Sequence, residues 1–173
     1  MPKDSIRLLS IGRFCHAKNF DNVPDMCAHL IQCGLDVKWY LVGFGGDENL
    51  IRQKIKESDM EDRVIILGKK DNPYPYIKAC DLYVQPSRYE GKCVTVREAQ
   101  MLKKPVVIAR YATSASQLEE GVDGVIVPQD NEGCAKGIKD LLNDPMLISK
   151  IIENCSNRDY SNSKEVKKLE QFV

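Results

Sequence analysis

The sequence predicts an α/β domain: a parallel sheet of six strands with helices on both faces. Three observations lead there. Six short runs rich in valine, isoleucine, leucine and aromatic residues recur along the 173 residues, each the length of a buried strand rather than of a core helix. Segments with apolar residues at helical spacing separate them, the order expected of parallel strands joined by crossover helices. Each run closes at glycine, proline or a polar loop, so the chain turns at the strand end.

The first strand is Ile6 to Ile11, closing at Gly12. A loop follows, Gly12-Arg13-Phe14-Cys15-His16-Ala17-Lys18-Asn19, with two cations five positions apart. A helix is expected from about Asn22 to Cys33, with Asn22 as N-cap and Pro24 in the first turn, where its missing N–H costs nothing. Val23, Met26, Cys27, Leu30 and Ile31 fall on one stripe of that helix, and Gly34 ends it. Strand two is Val37 to Val42, followed by Gly43-Phe44-Gly45-Gly46 and a helix whose buried face is read as Leu50, Ile51 and Ile55. The glycine cluster lacks the spacing of a dinucleotide-binding loop, and tight-turn geometry accounts for it.

Strand three is Val64 to Leu67, closing at Gly68. The segment Asn72 to Tyr76 leads through a short helix to strand four, Asp81 to Gln85, and a further helical run ends near Leu102. Strand five is Pro105 to Ala109, and Ser116-Gln117-Leu118-Glu119 has the capping-box pattern of a helix start. Strand six is Gly124 to Val127. Two amphipathic helices follow, one on Ala135, Ile138, Leu141 and Leu142, the other on Leu147, Ile148, Ile151 and Ile152. Together these elements make one Rossmann-like domain over 1–156, followed by a charged tail over 157–173.

Composition excludes several classes of function. Lysine plus arginine equals aspartate plus glutamate at 25 each, so no overall field draws the chain to nucleic acid or to an anionic membrane. No apolar run approaches the roughly eighteen residues of a membrane span, and the N-terminus lacks the apolar core of a signal peptide. The expected location is therefore cytoplasmic. Seven cysteines are scattered without a C-x-x-C pair, which suits reduced thiols acting as small hydrophobes and supports neither zinc nor a disulfide framework.

Chemistry concentrates in Pro86-Ser87-Arg88-Tyr89-Glu90-Gly91-Lys92-Cys93-Val94-Thr95-Val96-Arg97-Glu98-Ala99. This stretch leaves strand four and enters a helix, and in open α/β sheets the loops at the carboxyl ends of the strands form the ligand crevice. The N–H groups of Cys93, Val94 and Thr95 at the helix start suit phosphate oxygens. Glu90 and Glu98 flank them, and carboxylates accept hydrogen bonds from sugar hydroxyls. The combination reads as a site for a nucleotide sugar.

The pair Glu90 and Glu98 in PSRYEGKCVTVREA, followed by Lys104-Pro105-Val106-Val107, resembles the glutamate-seven-glutamate motif of the retaining glycosyltransferases of family 4. Those enzymes have the two-domain GT-B architecture, and the wording SRYEGK with VTVREAQ is closest to members that build bacterial surface and capsular polysaccharides. The resemblance implies that Glu98 binds the ribose, Glu90 the donor sugar, and the backbone of Gly91, Cys93, Val94 and Thr95 the diphosphate. Gly12 to Lys18 is similar to the family's G-R-x(4)-K signature, which places Arg13 and Lys18 on the diphosphate, and Gly68 and Lys69 correspond to positions near the base. Lys92 and Cys93 depart from the residues usual at those positions, Phe and Gly.

The resemblance covers the C-terminal half of a family enzyme. It implies an N-terminal acceptor-binding domain as partner, against which the tail would pack and through which a complete enzyme could reach the inner face of the membrane. No cofactor beyond the donor substrate is expected. No D-x-D pair occurs in the sequence, so Arg13, Lys18 and the helix N-terminus are expected to neutralise the leaving diphosphate without a metal. Two other readings stand beside the transferase: a stand-alone nucleotide-sugar-binding subunit or regulator without its own catalysis, and an unrelated flavodoxin-like domain.

Overall fold

The structure, a computed structural model, describes residues 1–160. Its single sheet has six parallel strands in the order β3-β2-β1-β4-β5-β6. The strands are β1 (Ile6–Ile11), β2 (Val37–Val42), β3 (Val64–Gly68), β4 (Leu82–Gln85), β5 (Val106–Ala109) and β6 (Val125–Val127). Helices α1 (Val23–Gln32), α2 (Glu48–Glu57), α3 (Tyr74–Ala79), α4 (Val94–Met101), α5 (Ser114–Gln117), α6 (Asn131–Leu142) and α7 (Pro145–Asn157) connect and cover them. The predicted fold class is therefore the one observed. Most of the expected tail, 161–173, lies outside the described residues.

Alternation along the strands divides the apolar residues between two cores. Leu8, Trp39 and Leu41 face α1, α2, α6 and α7, whereas Leu9, Tyr40 and Tyr83 face α3, α4 and Leu118. Both faces are thus covered, as a parallel sheet requires. The cysteines follow the same logic. Cys27, Cys80, Cys93, Cys134 and Cys155 are buried, and burial pushes the thiols of Cys27, Cys80 and Cys134 up to about 12, so they pack as neutral groups.

One polar thread crosses the first core. Trp39 Nε1 donates to Ser10 Oγ at 2.9 Å, and Ser10 Oγ donates to the Val84 carbonyl, tying β2, β1 and β4 together where all three are buried. Ser10→Ala removes the acceptor and leaves the indole N–H unpaired in an apolar interior, which costs about 1–3 kcal/mol. Urea unfolding followed by Trp39 fluorescence should shift its midpoint down with the slope unchanged.

Three local expectations need correction. Asn22 occupies the N-cap position of α1 without capping it: its backbone is already helical at φ −96° and ψ −4° where a cap needs an extended residue, and its amide donates to Asn19 Oδ1 at 2.8 Å. Ser116 does not open a helix: it lies inside α5, its hydroxyl donates to the Thr113 carbonyl, and Leu118 is already extended. Leu50 is 42% exposed, so α2 buries only Ile51 and Ile55 of the expected three. Helices α6 and α7 start on true caps, with Asp130 Oδ1 accepting from Gly133 N and Asp144 Oδ1 from Leu147 N.

Candidate functional site

In this strand order the neighbours β1 and β4 are where the sheet reverses its winding, so the chain leaving them diverges to opposite faces and opens a crevice. The loops after β1 and β4 carry Arg13, Lys18 and Glu90, and they meet there. Lys18 Nζ forms an ion pair with Glu90 Oε1, the two side chains being only 18% and 11% exposed. Arg13 stands exposed on the same loop, with no ion pair among the described residues. Arg13, Lys18 and Glu90, with Glu98 on α4, lie toward the carboxyl edge of the sheet.

Close backbone packing sets the position of Lys18. Its stem lies over Gly12, where an added Cβ would sit 3.1 Å from Lys18 Cε. The β1 loop is held in turn by the β2 loop: Phe14 N donates to Phe44 O at 2.8 Å, and Asp47 N to Phe14 O at 3.1 Å. Gly43 and Gly45 permit this, since Cβ atoms there would lie 1.8 Å from Gly12 O and 2.2 Å from Phe14 O. Close approach, more than the expected tight turn, explains the glycine cluster.

The β4 loop is clamped from the other side. Arg88 N donates to Ala17 O at 2.9 Å, and the Arg88 guanidinium donates to both oxygens of Asp21 at 2.8 Å. Asn19, buried and left-handed at φ 61°, donates from Nδ2 to Pro86 O at 2.9 Å. Burial disfavours the Asp21 carboxylate, but the hydrogen bonds and charge of Arg88 outweigh it and hold its pKa below the ordinary value. That stabilisation is fully present above the unfolded carboxylate pKa of about 4 and is lost as pH falls through the lower folded value. Asp21→Asn should therefore flatten the acid limb of a melting-temperature profile measured between about pH 7 and pH 3.

At the start of α4 the structure changes one assignment. Cys93 N–H donates to Gln117 Oε1 at 2.8 Å while Gln117 Nε2 donates back to Cys93 O at 3.2 Å. A buried side chain thus takes the amide expected to meet phosphate. The first-turn N–H groups of Val94 and Thr95 have no partner among the described residues and stay open to an acceptor. The Thr95 hydroxyl points inward, 2.6 Å from Tyr83 OH and 3.2 Å from Cys93 Sγ.

Glu98 does not touch Glu90's partners. It accepts a 3.1 Å hydrogen bond from the exposed Tyr74 hydroxyl, and with Cys93, Val94 and Arg97 it lines a groove of about 660 Å³. Gly68 takes a positive φ of 73° and its carbonyl accepts from Gly43 N. Lys69 Nζ sits 5.6 Å over the Phe44 ring, and Gly91 is exposed. Sequence reading gave no role to Asn19, Asp21 or Gln117, nor to Ser87 and Arg88 within the motif stretch, all of which build the site. No group of three or more metal-ligating side chains is found among the described residues.

Fold and crevice together define the class: a doubly wound α/β domain with a cation, a carboxylate and a helix N-terminus at its switch point. The chain belongs to the glycosyl transferases group 1, whose family model matches residues 1–158. It is 30% identical over 142 residues to an N-acetylgalactosaminyltransferase of Campylobacter jejuni that acts on a diphospho-undecaprenol acceptor, covering 81% of this chain and 38% of that protein. It is 26% identical over 152 residues to the alpha-D-kanosaminyltransferase of Streptomyces kanamyceticus, covering 86% and 39%. Among solved structures, Anabaena HepE in complex with UDP superposes with a TM-score of 0.83 at 25% identity, over 97% of this chain and 49% of that one. The chain thus spans about two fifths of the length of the curated relatives it matches. No helix among the described residues is long and apolar enough to cross a membrane.

Proposed function

We propose that this chain is the donor-binding domain of a retaining glycosyltransferase of family 4 that works without a metal and serves polysaccharide or glycoconjugate biosynthesis. One observation carries the reading: Lys18 and Glu90, from the loops of adjacent strands, are paired, and the Glu90 loop leads directly into the N-terminus of α4. In sugar transfer the nucleoside diphosphate gains negative charge as the glycosidic bond breaks. Lys18, the exposed Arg13 and the Val94 and Thr95 amides are the positive groups that oppose that charge, and they act most strongly on the transition state. Glu90 is the group for a hydroxyl of the donor sugar, and Glu98, swinging from Tyr74, for the ribose. An N-terminal acceptor domain would close the crevice and exclude water.

UDP is the first nucleotide to test, because HepE is described bound to UDP and to UDP-glucose. Titrating UDP, GDP and ADP into the chain by calorimetry, with EDTA present, should give micromolar binding of at least one. Absence of binding by all three, or binding only after a divalent cation is added, would overturn the reading.

A further inference from the structure

Behind Glu90 runs a buried polar chain that the donor-site reading leaves unexplained. Tyr83, Gln85 and Ser87 occupy alternate positions of β4 and its continuation, so their side chains share one face. Tyr83 OH donates to Gln85 Oε1 at 2.9 Å, Gln85 Nε2 donates to Ser87 Oγ at 2.9 Å, and Ser87 Oγ donates to Glu90 Oε1 at 2.8 Å. All three residues are fully buried. Valine or leucine would suit such positions in a parallel strand at lower cost, and a polar series there is tolerable only because each member is satisfied. Ser87 has one hydroxyl proton and an ionised carboxylate only accepts, so Ser87 donates to Glu90 and accepts from Gln85, and the chain terminates on Glu90.

We propose that Ser87, with Gln85 and Tyr83 behind it, is a positioning residue that commits one oxygen of Glu90 to the protein and turns the other toward a hydroxyl of the donor sugar. Oε1 receives both Lys18 and Ser87. Oε2 has no partner among the described residues and is the acceptor on offer. The inference rests on the donor-site reading. It adds that sugar recognition, as distinct from diphosphate binding, depends on residues that touch neither.

The two contributions separate in a titration of UDP, UDP-glucose and UDP-N-acetylglucosamine into wild type, Ser87→Ala, Ser87→Thr and Gln85→Met. In Ser87→Ala the affinity for UDP-sugar relative to UDP should fall about ten-fold, the scale of one hydrogen bond to a charged group. UDP affinity itself should stay within about two-fold, since Lys18 and the α4 amides are untouched. Ser87→Thr keeps the hydroxyl and should restore the ratio. Gln85→Met keeps the volume and should lower it, which gives a second reading if Ser87→Ala fails to fold. An unchanged ratio, an equal loss of UDP and UDP-sugar, or a wild type that binds UDP and neither sugar overturns the proposal. A wild type that binds no nucleotide removes the donor site and this inference with it.

Discussion

Lys18→Ala is expected to weaken UDP binding by about 10- to 100-fold in calorimetry at fixed ionic strength, the range of a charge-assisted hydrogen bond removed from a partly buried site. Two effects oppose each other. The ammonium lost is the one whose stem the β1 loop holds against Gly12 and whose head is paired with Glu90. Glu90, however, is an ion-pair partner of Lys18 and offsets part of that attraction, so the upper end is not exceeded. Raising salt should narrow the difference between wild type and variant, because an exposed diphosphate is screened. Lys18→Arg should recover only part, since the planar guanidinium spreads its charge beyond the Nζ position instead of concentrating it there as a compact ammonium does. A loss below about three-fold would mean that Lys18 does not meet the diphosphate.

Gly43→Ala should destabilise the domain by about 3–5 kcal/mol, whereas Gly46→Ala, three residues on, should be nearly neutral. Gly43 has φ 150° and a Cβ there would lie 1.8 Å from the Gly12 carbonyl oxygen, a backbone atom that cannot swing aside. Gly46 meets nothing within 4 Å and has no unusual φ. Because Gly12 begins the loop that places Lys18, any Gly43→Ala protein that still folds should also bind UDP more weakly. Denaturation of the two variants side by side checks the first part. Equal stabilities would show that the β1 and β2 loops are not locked together as described.

Several elements of this domain are legible from sequence because their causes are local. Val23, Met26, Cys27 and Leu30 repeat at helical spacing, and α1 buries them. The runs ending at Gly12, Val42 and Gly68 became parallel neighbours because apolar strands of that length have nowhere else to bury two faces. Misreadings arose where a local pattern competes with tertiary contacts. The Ser116 capping box lost to Gln117, which is drawn inward to hold the Cys93 peptide. Asn22 is drawn into the helical turn Phe20–Asn22 that follows Asn19 and so lacks the extended backbone of a cap, while Asn19's amide holds the β4 loop. Leu50 is one residue from the stripe that Ile51 and Ile55 define, and hydropathy alone cannot separate it from them.

By itself the sequence determined the sheet, its covering helices, and the residue types of the crevice, since periodicity, strand length and the spacing of Glu90 and Glu98 are properties of neighbours along the chain. Only the tertiary structure decided that Lys18 pairs with Glu90, that Arg88 and Asp21 lock their two loops together, and that Cys93's amide belongs to Gln117. Those contacts join residues 24 to 72 positions apart. Such contacts depend on which strands lie side by side and on how closely glycine lets their loops approach, and neither is encoded in any one stretch.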